Sequence, residues 1–184
     1  MAKMRRTLPP VEKRTLSLLD QLVRRPAVRS SIDEAIVRLE RLLRADAGAQ
    51  MAWETLPLSL FDPGLPESIR SSWVFILRAG AVTGAERHPN SHQRTLSYRG
   101  AGVAQTHEDG RWRNRRLVSD PEAPIEKRWA SIPINTWHQW EVSGGHWAVI
   151  SFHTVPAEQL IEERPARDDS GAGSRRLYVG ESAR

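Results

Sequence analysis

Apolar residues recur at helical spacing in the first part of the chain, where they form two stripes. The first stripe consists of Leu16, Leu19, Leu22 and Val23. The second consists of Ile32, Ala35, Ile36, Leu39, Leu42 and Leu43. Pro26 is expected to end the first helix, and the capping-box spacing of Ser31 and Glu34 predicts the start of the second. Gly48 is expected to close it. The pattern predicts an N-terminal helical segment, residues 1–50, that packs on the rest of the chain or on a partner subunit.

From Trp53 onward the apolar period is that of β-strands. Residues 73–77 and 147–153 are nearly continuous apolar runs, which are typical of buried strands, and residues 94–98 and 103–107 alternate between polar and apolar. Turn signals recur at Pro63-Gly64, Gly100 to Gly102, Asp109-Gly110, Asp120-Pro121 and Gly144-Gly145. Their spacing predicts a β-sandwich or barrel over residues 51–163.

The end of the chain has a different pattern. Residues 157–163 follow Pro156 and are expected to form a short helical piece. The remainder, residues 164–184, contains a polar stretch from Asp168 to Ser174 and is predicted to be a flexible C-terminal tail.

Composition narrows the class of protein. The 184 residues include no cysteine, which excludes a disulfide framework and a thiolate metal site. No apolar run approaches the roughly 20 residues that span a bilayer, and the N-terminus lacks the apolar core of a signal peptide. These features favour a cytoplasmic protein without a membrane partner.

The net charge is +5, and the basic residues are densely clustered at one place, Arg111–Arg116, which also contains Trp112. Such a cluster is more typical of a solvated edge strand than of a nucleic-acid surface, so the sequence argues against a nucleic-acid partner. Arginine also recognises carboxylates and phosphates, which favours an anionic small molecule.

The candidate chemistry lies in the strand region. Glu86 and His88 are two residues apart, so on a strand both side chains leave the same face. His138 lies on a later strand after a Pro/Asn turn, where it can join them across a barrel. Two imidazoles and a carboxylate at one point make a mononuclear metal site of the kind that non-haem iron oxygenases use.

These residues resemble the two motifs of the cupins. The first cupin motif runs Gly, five residues, His-x-His, three or four residues, Glu, six residues, Gly; the second is Pro-x-Gly-x-x-His. The matching positions are Gly80, Glu86 in place of the first His, His88, Gln93 in place of the Glu, Gly100, Pro133, Asn135 in place of the Gly, and His138. The resemblance covers roughly residues 53 to 156. It implies a mainly β fold, the cupin-type double-stranded β-helix or jelly-roll barrel, here preceded by a helical segment.

Two residues compete for a fourth metal-ligand position. His92 is favoured by its chemistry, because a neutral imidazole binds a first-row metal better than an amide oxygen does. Gln93 is favoured by its spacing to Gly100. If neither binds, three ligands remain, which suffices for a catalytic site.

Which residues line the cavity depends on whether His92 or Gln93 points into it. On the strand of His138, Thr136 and Trp140 share its face. If His92 points inward, Arg94, Leu96 and Tyr98 do so too; if Gln93 points inward, Thr95 and Ser97 follow it. The residues expected to take part in the reaction are Glu86, Tyr98 as a proton donor and Arg94 as an anion clamp. The substrate-pocket residues are expected to be Trp140, Thr136 and Leu96, and His153 is expected to support the site from an apolar strand.

The cupin resemblance implies a metal-dependent enzyme. The favoured activity is that of a mononuclear Fe(II) oxygenase or dioxygenase, an oxidoreductase acting on a small anionic or aromatic molecule. With Zn, Mn or Ni instead, the site would suit an isomerase, decarboxylase or lyase. A ligand-binding or accessory protein is the third alternative, and a homodimer is one way of covering the helical stripes.

Overall fold

The computed structural model describes residues 8–166 and 173–181. The chain begins with two helices, α1 (Pro10–Val23) and α2 (Pro26–Ala45). Each begins with a proline, whose fixed φ suits the first helical turn and whose missing N–H has no partner to lose there. The prediction that the second helix begins at Ser31 is therefore wrong: Pro26 begins it, and the Ser31 hydroxyl donates to the Ala27 carbonyl within the helix. The helix ends at Ala45, and Gly48 lies in the following turn.

Ten strands and one short helix follow within the described residues. The strands are β1 (Met51–Leu56), β2 (Ser71–Leu77), β3 (Gln93–Arg99), β4 (Ala101–Glu108), β5 (Arg111–Val118), β6 (Trp129–Ile132), β7 (His138–Glu141), β8 (Trp147–His153), β9 (Ile161–Arg164) and β10 (Ser174–Leu177). The short helix is α3 (Ile125–Arg128), and 3-10 turns cover Leu58–Phe61, Ala157–Gln159 and Tyr178–Glu181. The buried strands predicted at residues 73–77 and 147–153 are confirmed as β2 and β8.

Eight of the described strands form two antiparallel sheets, and β9 and β10 form a separate pair. The first has the order β1-β2-β8-β3-β6 and the second has the order β5-β4-β7. Backbone bridges from Val82 to Glu141 and from Glu86 to His138 add the segment 82–87 beside β7. A bridge from Arg87 to Glu163 then adds the β9–β10 pair. The chain passes repeatedly from one sheet to the other, so the predicted mainly β, jelly-roll architecture with N-terminal helices is confirmed.

Two apolar cores lie on opposite faces of the first sheet. The helices α1 and α2 cover its outer face and bury leucines and isoleucines of both predicted stripes against Phe61, Trp129 and Phe152. Between the sheets, Trp140 and Trp147 pack with small and branched residues. A third cluster joins Tyr178 to the first two strands. The division into segments 1–50, 51–163 and 164–184 stays a prediction.

The end of the chain differs from what the sequence suggested. Only residues 157–159 form a helical turn, because the backbone of residues 161–164 pairs with β10 and that of Glu163 with Arg87. Residues 174–177 form a strand rather than a loose tail, and Tyr178 packs on the barrel. Residues 167–172, which hold most of the polar stretch from Asp168, lie outside the described residues.

Two further features bear on partners. In the described sheets β5 pairs with β4 alone, so the Arg111–Arg116 cluster lies on an edge strand as predicted. Among the helices that the structure describes, none has the length and apolar character needed to cross a membrane.

Candidate metal centre

Three donor side chains meet inside the barrel. Glu86 and His138 face each other across an antiparallel bridge, in which each backbone N–H donates to the other's carbonyl at 2.9 and 2.8 Å. His88 follows two residues after Glu86 on the same face. One ligand atom from each of the three lies within 4.8 Å of the others, and all three residues are buried. Backbone pairing thus fixes the separation of Glu86 and His138, which are 52 residues apart in sequence.

Both histidines are held in one tautomer. The Nδ1 of His88 lies 2.9 Å from the Ile161 carbonyl, and that of His138 lies 3.1 Å from the Thr136 carbonyl. Because a carbonyl only accepts, each Nδ1 carries the hydrogen and each Nε2 keeps its lone pair. The Nε2 of His138 is buried, lies 3.5 Å from Glu86 Oε1 and has no hydrogen-bond partner. A buried nitrogen lone pair aimed at a carboxylate fits a cation between them.

The protonation states suit a metal as well. Burial raises the pKa of the Glu86 carboxyl, but His138, His88 and Arg164 outweigh this effect and lower it to about 2. Burial and the neighbouring His138 lower the pKa of His88 to about 4. At neutral pH the site therefore offers a carboxylate and a neutral imidazole, the forms that bind metal ions.

His92 does not face this site. Its Nε2 lies 2.8 Å from the Ser131 hydroxyl, and the ring lies between Glu12 and Arg94 on the outer face of the sheet, beneath α1. Gln93 points the other way, into the cavity beside His88. Successive side chains of a strand alternate, so only one of the two can face inward. The geometry excludes His92 and leaves Gln93 next to the triad.

Three other candidates from the sequence lie outside the cavity because they share the outward face of His92. Arg94 makes a two-pronged ion pair with Glu12 of α1, with both contacts at 2.8 Å, so it is not an anion clamp. The Tyr98 hydroxyl donates to Asp33 of α2 at 2.9 Å. Burial and Asp33 raise the pKa of Tyr98 to about 12. Leu96 packs in the core beneath the helices.

Of the two pocket residues predicted on the strand of His138, Trp140 lies on β7 and lines the cavity, whereas Thr136 lies in the turn before β7 and is not part of the lining. The ring of Trp140 lies edge-on to His138 with centroids 5.9 Å apart. Thr136 acts through its backbone, since its carbonyl holds the His138 ring.

The cavity beside the triad has a volume of about 30 Å³. It is lined by Met51, Phe75, Leu77, Thr83, Glu86, Gln93, Trp140, Val149, Ser151, His153, Leu160 and Tyr178. Sequence reasoning missed Tyr178, because it follows a short polar strand in a segment with no apolar period. His153, expected as a supporting residue, lines the cavity with its ring 5.2 Å from that of His88, and its Nδ1 bonds to the Ser91 hydroxyl.

A second carboxylate lies behind Glu86. Glu162 of β9 is 1% exposed, and Arg164 bridges the two acids with contacts of 2.7 Å to Glu162 and 3.2 Å to Glu86. Arg176 also contacts Glu162, at 2.8 Å. Burial raises the pKa of Glu162, and the nearby charge of Glu86 adds to that effect. No sequence motif marked this pair, since β9 was expected to be helical.

Comparisons with known proteins give remote structural likeness only. No family model and no curated protein matches the chain. Among solved structures it is similar to an oxalate oxidase in complex with glycolate, at 11% identity and a TM-score of 0.46, over 60% of this chain and 54% of that one. It is also similar to the capsular polysaccharide assembling protein CapF from Staphylococcus aureus, at 18% identity and a TM-score of 0.41, over 47% and 23%. Oxalate decarboxylase from Bacillus subtilis matches at 17% identity and a TM-score of 0.40, over 46% and 21%.

The chain thus spans about half of the oxalate oxidase and less than a quarter of the other two proteins. The assignment of the fold rests on the chain itself. Glu86 of the first motif pairs with His138 of the second, and the donors of both motifs meet inside the barrel. The strands of the barrel alternate between two antiparallel sheets. The chain has a cupin-type barrel fold with a Glu-His-His triad in its interior.

Proposed function

We propose that this protein binds one divalent metal ion through Glu86, His88 and His138 and acts as a metal-dependent enzyme on a small organic molecule. The observation that carries the proposal is the buried Nε2 of His138, which has no hydrogen-bond partner and faces the Glu86 carboxylate. An imidazole held in this way costs free energy unless a cation takes up its lone pair.

The favoured activity is that of a mononuclear Fe(II) oxygenase or dioxygenase. Two histidines and one carboxylate that leave positions open are the donor set of such enzymes, and the bound metal would bring dioxygen and substrate together there. Within the chain, the carbonyls of Ile161 and Thr136 keep both imidazoles oriented. Phe75, Trp140 and Tyr178 surround the cavity with apolar surface that limits access of water.

A non-redox enzyme, an isomerase, decarboxylase or lyase using Zn, Mn or Ni, is the second candidate. Glu162 favours it, because acid–base steps need a proton carrier close to the metal and this second buried carboxyl lies beside Glu86. Oxygen uptake by the Fe(II)-loaded protein with small organic substrates distinguishes the two activities. Retention of ligand binding after removal of the metal would instead indicate a binding or accessory protein.

The first test is elemental analysis by plasma mass spectrometry of the wild type and of His88→Ala and His138→Ala. We expect near-stoichiometric metal in the wild type and its loss from both variants. His107→Ala is the matched control, because His107 is exposed on the outer face of the second sheet and should keep the metal. Absence of metal from the wild type, even after reconstitution with Fe(II), would refute the proposal.

The cytoplasmic location and the homodimer stay predictions. Light scattering coupled to size-exclusion chromatography measures the oligomeric state.

A further inference from the structure

One buried acceptor in the cavity has no partner. Within residues 8–166 and 173–181, the buried side-chain atoms without a hydrogen bond include Gln93 Oε1 as well as His138 Nε2. Gln93 is 5% exposed and lines the cavity. A buried amide oxygen without a donor is costly, so this atom indicates a group that occupies the cavity in the working protein.

The neighbouring side chains set the orientation of the Gln93 amide. Its Nε2 donates to the Thr95 hydroxyl at 3.1 Å, and that hydroxyl lies 2.9 Å from the hydroxyl of Ser151. Thr95 can accept from Gln93 and donate to Ser151 at the same time. With Thr95 as the acceptor, the amide oxygen lies on the side away from Thr95, beside His88, and has no hydrogen-bond donor.

Three other polar side chains around the cavity, those of Thr83, Ser151 and His153, have partners within the protein. The Thr83 hydroxyl accepts from the Trp140 N–H and donates to the Gly84 carbonyl. Ser151 bonds to Thr95, and His153 bonds to Ser91. None of the described residues that line the cavity is a lysine or an arginine, and most of the wall is apolar. The lining therefore offers no basic side chain to a free anionic group, whereas Gln93 Oε1 is a buried acceptor without a partner close to the metal ligands.

We propose that Gln93 Oε1 accepts a hydrogen bond from a hydroxyl group of the bound molecule, so that the site selects small molecules with a hydroxyl next to their metal-binding group. The proposal rests on the metal site proposed above and goes beyond it by naming the class of ligand. It assigns Gln93 to the recognition of substrate and leaves the metal to Glu86, His88 and His138. Three such ligands already suffice, and an amide oxygen is a weaker ligand than imidazole or carboxylate for iron or zinc.

The test compares two probes on Co(II)-loaded protein by isothermal titration calorimetry. Lactate carries a hydroxyl beside its carboxylate, and 2-methoxypropionate is the same molecule with that hydroxyl capped by a methyl group. We expect the wild type to bind lactate at least about tenfold more tightly than 2-methoxypropionate. Gln93→Met, which keeps the side-chain length without the acceptor, should retain Co(II) and lose this preference.

The control variant is Gln105→Met. Gln105 lies on the outer face of β4 and bonds to Glu141 and Gln139, so the same substitution there should leave the preference unchanged. Loss of Co(II) from Gln93→Met would show that Gln93 is a metal ligand and would overturn the proposal. So would equal binding of the two probes by metal-loaded wild type. A wild type that takes up no metal at all would refute the underlying metal site instead, and metal analysis identifies that outcome before any probe is added.

Discussion

Glu86 has two chemically distinct roles open to it, because its carboxylate contacts both a histidine of the triad and Arg164. As a ligand it neutralises part of the charge of the metal. As an uncoordinated base it would move a proton beside the metal. The same backbone bridge positions Glu86 and His138, so a substitution of the side chain alone separates the two roles without moving the strand.

Replacement of Glu86 by glutamine tests this point. If Glu86 is a ligand, metal affinity should fall by more than about 100-fold, because even partners one shell further out cost about 10–100-fold when they are lost. Competition with a fluorescent metal indicator measures the affinity. Glu141→Gln, on the outward face of β7, is the control and should bind metal like the wild type. Full metal content with no turnover would show instead that Glu86 is a general base.

His92 should be dispensable for the metal although chemistry alone favoured it. His92→Ala is expected to keep the full metal content and to lose about 1 kcal/mol of stability, the usual value of one half-buried hydrogen bond, here the one to Ser131. Elemental analysis and urea unfolding measure the two quantities. Metal loss in this variant would place His92 in the site and contradict the outward orientation of its side chain.

The sequence did not determine which of His92 and Gln93 faces the metal site. Spacing alone found Glu86, His88 and His138, since residues two apart share a strand face and the second motif has a fixed turn. It left the neighbouring pair undecided, because a shift of one residue exchanges the two faces of a strand. The deciding information is the pairing of β3, in which Gln93 lies opposite both Ile132 and His153.

At the scale of elements, one buried ion pair attaches α1 to the barrel. Asp20 of α1 accepts from the guanidinium of Arg128 in α3, and the Trp129 indole donates to it at 2.9 Å. All three groups are buried. The helical stripe was predictable from its period, but its attachment was not, since the partners are more than 100 residues away in sequence.

Asp20→Asn should destabilise the fold by about 3 kcal/mol, because it leaves the Arg128 charge buried without its counter-ion. Chemical denaturation of the metal-free protein measures the change, and Glu67→Gln, at an exposed position, is the control. Burial raises the pKa of Asp20, but Arg128, Trp129 and Arg24 outweigh it, so the folded pKa lies below the usual value. The stability that Asp20 contributes is therefore complete above about pH 4 and is lost as the pH falls further. The difference between wild type and variant should stay constant down to about pH 4 and shrink as the pH falls below it. A difference that does not change with pH would contradict the ionic role of Asp20.

Elements with long, regular apolar periods were predictable, and those defined by distant pairing were not. The local sequence was enough to predict four elements. These are α1 and α2, which have apolar stripes, and β2 and β8, which have apolar runs. By contrast, β9 and β10 are four residues each and mostly charged, and they are strands because Glu163 pairs with Arg87 and with Arg175. The start of α2 was misplaced because Pro26 was interpreted as the end of one helix when it also begins the next.

At the scale of the whole molecule, the site joins segments that are far apart in the chain. Glu86 and His88 come from the loop after β2, His138 comes from β7, and the carbonyl that orients His88 belongs to Ile161 of β9. Tyr178 of the final described turn packs on Trp53 and Trp73 of the first two strands, with ring centroids 5.4 and 5.3 Å away. A metal ion at the triad would therefore connect the middle of the barrel to the segment that closes it.

Removal of the metal should lower the Tm of the protein, because the three ligands meet only in the folded state. A ligand that binds only the folded state stabilises it by about 2.7 kcal/mol when its free concentration is 100 times its Kd. For a chain of this size, that corresponds to a shift in Tm of about 5–10 °C. Calorimetry of the metal-loaded and chelator-treated wild type measures the shift, and re-addition of the metal should restore it. His138→Ala has no second imidazole to offer, so its Tm should not respond to either treatment. The variant lacks the His138 imidazole. A Tm response equal to that of the wild type would therefore show that the stabilising ion binds elsewhere.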